Sequence, residues 1–517
     1  MKACATHHNL PSPTSSGNLF LPVPDTEFRD FLKQIDELVK FTPEILAAIE
    51  RDLDKHGKKK KKIRLADKLF VEGLTGELPG LPADEYFDSD FKVRLGVGRP
   101  RMPAYLAYVF LMIRGELGSV TRREDVTFVR ESISLYSFLQ ERGYRMPGTT
   151  TILENLNAVS NETRQLIFDS QIRFIQEKDL DDFKELIFDS TQVEANSAWP
   201  TDAKILTGLL SRAQRLGQKL EMFELPRFRV WWMNQWLWKM RRLTLLINLA
   251  AGKPHSKRTI KKHYRQLLEF GRKAVAHLDK ELQGVENTYQ PYDFLLPSRR
   301  EMLKAVLKQI REDIGDAYRV IGYAEERIFE GKTGSSRDKV LSLADKTAAY
   351  IKKGGREAVI GYKPQIARSG QGFITGLMVK EGNPADKGEL VPLFNDVVNR
   401  TGVAPEVVSA DDGYASEKGR NTILDHGVEV MSISGVWGKK LIGEENWESE
   451  IYREVRRGRP AIESLIFVLK HCFEFGRLGR RGLEAVRAEL LEKALACNSY
   501  RITYLRKKNR QKLKWAA

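Results

Sequence analysis

The chain has 517 residues, 30% of them charged, and a formal net charge of +16. This excess of positive charge favours a polyanionic partner, and nucleic acid is the commonest such partner. The longest largely apolar run, Leu243 to Ala251, is far shorter than a bilayer span, which argues against a membrane protein. Residues 1–16 lack the apolar segment of a signal peptide, so we predict a cytoplasmic, nucleoid-associated protein with no membrane partner.

The three cysteines, Cys4, Cys472 and Cys497, are too scattered for a disulfide framework or a zinc site. The eight histidines show no spacing typical of metal ligands. Oxygen ligands must therefore hold any metal ion.

The N-terminal quarter contains one helical pattern and one basic run. Residues 1–24 are rich in Pro, Ser and Asn, which predicts disorder, and residues 25–100 form a helical segment with apolar residues at helical spacing from Asp25 to about Leu53. Because like charges repel and stay solvated, the basic run indicates an exposed linker. The alternative is an arm that contacts phosphates. The run consists of Lys58, Lys59, Lys60, Lys61 and Lys62.

Residues 101–180 are predicted to form a helical DNA-binding module. Pro103 is placed to open a helix at its first position. The segment Met146 to Leu153 indicates a turn with threonine caps that leads into another helix. A turn between two short helices suits a helix-turn-helix reader, but ordinary helical packing gives the same pattern.

A strand begins at Glu185 and ends in an acidic residue, Asp189, before a helical block. Thr201 or Asp202 is the predicted cap of the first helix, and residues 201–348 are interpreted as a basic, all-helical insertion. Its aromatic residues alternate with cations, a pattern that can stack on bases. We assign most of its tryptophans to a core and expect DNA contacts from Arg227, Arg229, Arg241 and Arg242.

Strand patterns return after the block, at Ala358 to Lys363 and at Gly372 to Val379. A turn at Gly382-Asn383-Pro384 and a helix to about Arg400 follow. The strand from Val407 then ends at Asp411, and a helix and a short strand, Val428 to Ile433, come next. Helices run from Pro460 onward, and residues 481–517 form a C-terminal helix and basic tail.

Two strands remote in sequence thus each end in an aspartate, and a third acid, Glu463, lies on a basic helix. A buried carboxylate is costly unless a cation meets it. These acids therefore predict a site that holds metal ions for phosphoryl transfer. Asp412 neighbours Asp411, and neighbours on a strand point oppositely, so only one of them can enter the site.

With the helical block removed, the order of elements is β-β-β-α-β-α-β-α. Together with four signatures, it resembles the RNase H-like fold of bacterial insertion-sequence DDE transposases, over roughly residues 100–510. The signatures are Asp189-Ser190-Thr191 with Pro200-Thr201-Asp202; Gly361-Tyr362-Lys363 with Gly382-Asn383-Pro384 and Asp386; Ala410-Asp411-Asp412-Gly413-Tyr414; and Arg459, Glu463 and Lys470.

The resemblance implies a mixed α/β fold. Its RNase H-like core would be a mixed five-stranded sheet with flanking helices, built from residues 181–200 and 349–480. An all-α N-terminal module and a large all-α insertion after the first strand would complete the chain.

The resemblance also implies a catalytic triad, Asp189, Asp411 and Glu463, that binds two Mg²⁺ or Mn²⁺ ions. Asp202 and Asp386 are interpreted as cap or turn residues, or as residues that support the triad. Arg456 stands where the family signature has a tyrosine. Expected DNA-phosphate contacts near the triad are Arg456, Arg457, Arg459 and Lys470.

The predicted partners are double-stranded DNA, namely terminal inverted repeats and target DNA, and a second copy of the chain in a homodimer on paired DNA ends. The predicted activity is strand cleavage followed by strand transfer. Two alternatives stay open at this point. One is a catalytically silent, transposase-derived DNA-binding protein, and the other is an RNase H-like nuclease that cuts without joining.

Overall fold

The computed structural model describes residues 26–75, 101–116, 132–197, 201–220, 223, 233–290, 292–332, 339–353 and 357–516. The chain divides into two compact units. The first comprises residues 1–54, 101–196 and 347–517, and the second comprises residues 55–100 and 197–346.

The first unit opens with helices. They are α1 (Thr26–Phe41), α2 (Glu44–Thr75, within this unit as far as Asp54), α3 (Ala104–Glu116), α4 (Ile133–Gln140), α5 (Thr149–Ala158) and α6 (Asn161–Glu177). Helix α3 is buried around its whole circumference, as its apolar composition requires. The cap of α5 is Gly148, without a side-chain hydrogen bond, so the predicted threonine cap is wrong.

A buried carboxylate, Asp36, ties α1 to its neighbours. It accepts hydrogen bonds from the Tyr105 hydroxyl at 2.7 Å and from Nη2 of Arg142 at 2.8 Å. Although burial opposes the effect, hydrogen bonds from Arg142, Lys40 and Tyr105 lower the pKa of Asp36 to about 2. These N-terminal helices therefore hold the charged carboxylate of Asp36 in place through Tyr105 and Arg142.

The centre of the unit is a five-stranded mixed sheet in the order β6-β5-β1-β7-β8. Strands β1, β7 and β8 run parallel, and β5 is antiparallel to both β1 and β6. The predicted RNase H-like core is confirmed by this sheet. The strands are β1 (Glu185–Ser190), β5 (Gln365–Ser369), β6 (Ile374–Met378), β7 (Val407–Ala410) and β8 (Val430–Ile433).

Helices cover both faces of this sheet. Leu186 and Phe188 pack into a core with the two helices that precede and follow β7, whereas Ile187, which points the other way, is also buried. Three later helices pack against β1, β6, β7 and β8. The helices are α11 (Asp386–Thr401), α12 (Glu417–Leu424), α13 (Val436–Ile442), α14 (Glu444–Glu448), α15 (Glu450–Gly458), α16 (Pro460–Cys472) and α17 (Leu483–Ala516).

A second, three-stranded sheet in the order β2-β4-β3 was not predicted. It contains β2 (Val193–Glu194), β3 (Ala349–Ile351) and β4 (Val359–Tyr362). The predicted strand Ala358 to Lys363 is present as β4, but it lies in this small sheet. At Gly361 a Cβ would stand 1.9 Å from the Val193 carbonyl oxygen, so only glycine allows this close approach of β4 to β2.

The second unit is helical, as predicted for the insertion. It contains α7 (Asp202–Leu220), α8 (Met233–Ala250), α9 (Lys257–Tyr289), α10 (Pro297–Glu325) and a short π-helical turn, Glu326–Glu330. Their apolar faces share one core. The Thr201 hydroxyl accepts a hydrogen bond from the Lys204 amide at 3.4 Å, so Thr201 is the cap of α7.

The basic run Lys58 to Lys62 lies inside α2, so the predicted linker is wrong. Lysine is a good helix former, and a helix that begins fourteen residues earlier propagates through the run. Further along α2, Asp67 accepts a hydrogen bond from the Ser298 amide at 2.9 Å at the start of α10. Among the helices in the described ranges, none has the length and apolarity needed to cross a membrane.

Candidate active site

Two aspartates meet at one edge of the five-stranded sheet. Phe188 on β1 is paired in register with Ala410 on the parallel strand β7. Asp189 and Asp411 each follow this pair by one residue, so they reach the carboxyl edge of the sheet side by side. This juxtaposition is the one that the two strand patterns predict.

A lysine lies between these two carboxylates. The Lys353 ammonium is 2.7 Å from Oδ1 of Asp189 and 4.0 Å from Oδ2 of Asp411. It also donates to the Ser190 hydroxyl at 3.0 Å and to the Ser190 carbonyl oxygen. One positive charge is thus shared by two carboxylates and a polar strand end.

Backbone amides fix the orientation of both carboxylates. Oδ1 of Asp189 accepts from the Ser190 amide at 2.7 Å, and Oδ1 of Asp411 accepts from the Gly413 amide at 3.0 Å. The second contact makes Asp411 the cap of a 3-10 turn, Asp412–Tyr414. Lys353 contacts this same oxygen, Oδ1, of Asp189, whereas it faces the other oxygen, Oδ2, of Asp411.

The charge at this edge is only partly compensated. Burial and then the negative charge of Asp189 raise the pKa of Asp411, while Lys353 and the Gly413 amide oppose the rise. Asp386 raises it further. A carboxylate in this state gains from an additional positive charge.

Glu463, the third predicted ligand, lies in the first turn of α16, where a negative charge is favoured. Its side chain is 57% exposed and pairs with Nη2 of Arg459 at 2.9 Å. Nη1 of the same arginine is 3.9 Å from Oδ2 of Asp189. Glu463 therefore connects to Asp189 through Arg459.

The donor chemistry of this edge fits a small, hard cation. Carboxylate oxygens are the ligands that Mg²⁺ prefers, together with water and substrate phosphates. The position between Asp189 and Asp411 already stabilises a positive charge, that of Lys353. Within the described part of the chain, no three His, Cys, Asp or Glu side chains are grouped closely enough to hold a metal ion as they stand.

Several of the signature residues, together with Gln365, form a hydrogen-bonded chain behind Asp411. The buried Tyr414 hydroxyl donates to Oε1 of Gln365, and Nε2 of Gln365 donates to Asp386 at 2.8 Å. Lys363 pairs with Asp386 at 2.9 Å and donates to the Pro384 carbonyl oxygen at 3.1 Å. Asp386, the first residue of α11, thus links Lys363 and Gln365 behind Asp411.

Asp412 faces away from the pair, as the strand geometry predicts. Its Oδ1 accepts from the Gly438 amide at 2.9 Å, which links the turn to α13. Gly435 has φ +104°, and a Cβ there would stand 2.5 Å from Cγ of Asp412. Asp411 is thus the only one of the two neighbours that is directed at Lys353.

The cations predicted near the triad differ in their surroundings. Arg456 stacks on Trp447, with its guanidinium carbon 3.9 Å from the ring centre, and donates to the Trp447 carbonyl oxygen at 2.7 Å. Arg457 is exposed. Lys470 is half-buried, with its side-chain stem beside Gly476.

The second unit carries the other predicted cations. Arg241, Arg242 and Lys62 are exposed, and Arg242 lies over Trp238 at 5.9 Å from its ring centre. The side chains of Lys58 to Lys61, and Arg227 and Arg229 entirely, fall outside the described residues. The first turns of α9 add further exposed cations, namely Lys257, Arg258, Lys261, Lys262 and Arg265.

Lys353 and Gln365 are functional candidates that the sequence patterns missed. The requirement for a cation beside a buried carboxylate pointed to some positive charge at this edge. Lys352 and Lys353 follow the three-residue strand β3, which is too short to give an apolar alternation. Their place beside Asp189 depends on strand pairing that local sequence does not show.

Comparison with known proteins identifies this part of the chain. Residues 331–499 match the family model of the transposase DDE domain. The matched range contains Lys353, Asp411 and Glu463, and Asp189 lies outside it. No curated protein and no solved structure matches the chain. For residues 331–499, this match confirms the resemblance to DDE transposases stated above from four signatures.

Proposed function

We propose that this transposase DDE domain serves an active insertion-sequence transposase, in which Asp189, Asp411 and Glu463 catalyse metal-dependent cleavage and transfer of DNA strands. The observation that carries the proposal is the pairing of Asp189 and Asp411 at matched ends of adjacent parallel strands. It occurs together with the transposase DDE match at residues 331–499.

Asp189, Asp411 and Glu463 would hold two Mg²⁺ or Mn²⁺ ions. When bound, such ions supply activation of the attacking oxygen and stabilisation of the leaving oxygen. The chain itself supplies position, because the Ser190 and Gly413 amides orient the two aspartates. Phosphoryl transfer requires mainly positioning and charge neutralisation. Water as nucleophile would cut a strand, and the freed 3′-hydroxyl would join it to target DNA.

DNA binding is the second part of the proposal. The net charge of +16 supports attraction to a polyanion. Exposed cations are present at Arg457, two residues before Arg459, and on the helical unit, at Arg241 and Arg242. We propose that they contact terminal inverted repeats and target DNA, with two copies of the chain assembled on paired ends.

The test uses Asp189→Asn, Asp411→Asn and Glu463→Gln in the full chain, assayed on labelled DNA that carries the terminal repeats. Each variant should lose strand cleavage in Mg²⁺ and in Mn²⁺ while binding to end DNA stays within about twofold of wild type, because phosphate contacts dominate affinity. Glu444→Gln is the matched control, since Glu444 is an exposed acid paired with Lys439 on the surface.

Full cleavage by any triad variant in Mg²⁺ would remove that residue from the mechanism. Absence of cleavage in the wild type would favour a catalytically silent DNA-binding protein. Cleavage without the appearance of joined products on a target plasmid would favour a nuclease that cuts without joining.

A further inference from the structure

Lys353 occupies a position at the carboxyl edge that both aspartates face. Its ammonium makes a short contact with Asp189, at 2.7 Å, and a longer one with Asp411, at 4.0 Å. It also contacts the hydroxyl and carbonyl oxygens of Ser190. Four oxygens from three residues thus surround one cationic nitrogen, an arrangement of ligands that resembles a cation site.

Electrostatics explains why a cation is needed there. The side chain of Asp189 is only 9% exposed, and that of Asp411 is 24% exposed. Two partly buried carboxylates side by side repel each other unless a positive charge compensates them. In the protein without metal, Lys353 supplies a positive charge to both aspartates, and Arg459 adds one beside Asp189, at 3.9 Å from Oδ2.

We propose that Lys353 is a built-in occupant of the metal site. Its ammonium stands where a divalent cation is bound in the loaded protein, so metal binding requires the lysine to leave. This inference rests on the proposed function, since it takes Asp189 and Asp411 as metal ligands. The lysine then lowers the affinity for metal, and it compensates the negative charge of the acid pair while metal is absent.

The position of Lys353 in the chain suits such an exchange. It lies just after β3, outside the five-stranded sheet, and its side chain is 25% exposed. The ammonium can therefore move into solvent without disturbing the buried core. Lys352, its neighbour, is exposed and offers a control with the same change of charge.

The principal experiment measures Mn²⁺ binding by full-length wild type, Lys353→Met, Lys352→Met and Asp189→Asn, using calorimetry and the electron paramagnetic resonance of free Mn²⁺. The Asp189→Asn protein defines the binding that does not involve the site. We expect Lys353→Met to bind Mn²⁺ about tenfold more tightly than wild type, because the competing charge is gone. Lys352→Met should match wild type.

A second measurement needs no variant at Lys353. Wild-type protein is treated with an amine-acetylating reagent with and without Mn²⁺, and modification of each lysine is followed by mass spectrometry. Acetylation of Lys353 should rise several-fold with Mn²⁺ because its ammonium is released from the carboxylates, whereas acetylation of Lys352 should not change. This test stands even if Lys353→Met fails to fold.

The outcomes separate the inference from the proposed function. Equal or weaker Mn²⁺ binding by Lys353→Met, or unchanged acetylation of Lys353, overturns the inference. The proposed function survives in that case if wild-type Mn²⁺ binding depends on Asp189 and DNA is cleaved. Absence of Asp189-dependent Mn²⁺ binding in every protein overturns the inference and also argues against the proposed metal ligands.

Discussion

Replacement of Glu492 by glutamine should strongly destabilise the first unit. The side chain of Glu492 on α17 is only 1% exposed and lies among three arginines. Arg114 donates to it at 2.6 and 2.9 Å, and Arg164 donates at 2.7 Å. Arg480 donates to both carboxylate oxygens. The cluster therefore joins α3, α6 and the segment before α17 through one carboxylate.

The size of the effect follows from burial. Breaking a buried ion pair by removing one partner costs about 3–5 kcal/mol, because an uncompensated charge is left behind. Here three arginines lose their common anion, so we expect a loss of about 3–5 kcal/mol in the free energy of unfolding of this unit. Typical domains have about 5–15 kcal/mol in total, so such a loss is a large fraction.

The same cluster predicts a dependence on pH. Against the effect of burial, Arg114, Arg480 and Arg164 hold the pKa of Glu492 well below its usual range. Burial lowers the pKa of Arg114 to about 10, so Arg114 remains protonated at neutral pH. Because the folded pKa of Glu492 lies below the unfolded one, its stabilisation is present above about pH 4.5 and declines as pH falls below that value.

Urea unfolding, followed by circular dichroism at pH 7 and pH 4, provides the assay. The stability deficit of Glu492→Gln relative to wild type should shrink only slightly between pH 7 and pH 4, because pH 4 lies just below the unfolded pKa of Glu492 and well above its folded pKa. Glu484→Gln is the control on the same helix, because Glu484 is 70% exposed and pairs with Arg487 on the surface. Such a surface pair contributes about 0–1 kcal/mol. A loss below about 1 kcal/mol for Glu492→Gln would refute the reasoning about this cluster.

Two further predictions concern the site and its DNA. Tyr414→Phe leaves Oε1 of Gln365 without its donor, so we expect a loss of about 1–3 kcal/mol in the free energy of unfolding, checked by urea titration against Tyr504→Phe, whose ring is exposed. No difference between these two variants would show that the chain from Tyr414 to Asp386 does not stabilise the fold. The affinity for DNA, measured by fluorescence anisotropy, should fall steeply between about 50 and 200 mM salt. A flat response would contradict the assignment of DNA binding to phosphate contacts.

The strands that carry the two aspartates were predictable because each is an apolar run buried on both faces of the sheet. Leu186, Ile187 and Phe188 are almost fully buried, and so are Val408 and Ala410. Such runs stand out against polar surroundings, and their order along the chain matches a parallel pairing. The position of Asp189 beside Asp411 follows from that pairing alone.

Strand β5, which lies between β1 and the edge strand β6, was not predictable in the same way. Strand β5 contains Gln365, Arg368 and Ser369, which give it no apolar pattern. These polar groups find partners inside the fold: Gln365 bonds to Asp386, and the Ser369 hydroxyl bonds to Asp181 at 2.5 Å. A central strand with satisfied polar side chains cannot be distinguished from a loop by periodicity.

The prediction of a linker at the basic run was wrong because it rested only on repulsion between like charges. The argument that Lys58 to Lys62 form a linker considers the run alone, whereas α2 extends from Glu44 to Thr75 and includes it. Helix formation is cooperative, so flanking turns outweigh a few unfavourable neighbours. An argument from neighbouring residues alone also fails to identify Lys353, because its partners are far away in sequence.

Charge balance distinguishes two of the ionic clusters of the first unit. At Glu492 three arginines surround one carboxylate, and the pKa of that carboxylate is lowered. At the carboxyl edge one lysine serves Asp189 and Asp411, and the pKa of Asp411 is raised, first by burial and then by the charge of Asp189. An acid that already has an excess of cations gains little from another one, whereas an under-compensated pair favours any further positive charge. The opposite directions of these two shifts therefore assign a structural role to the first cluster and favour cation binding at the second, where the transposase signatures converge.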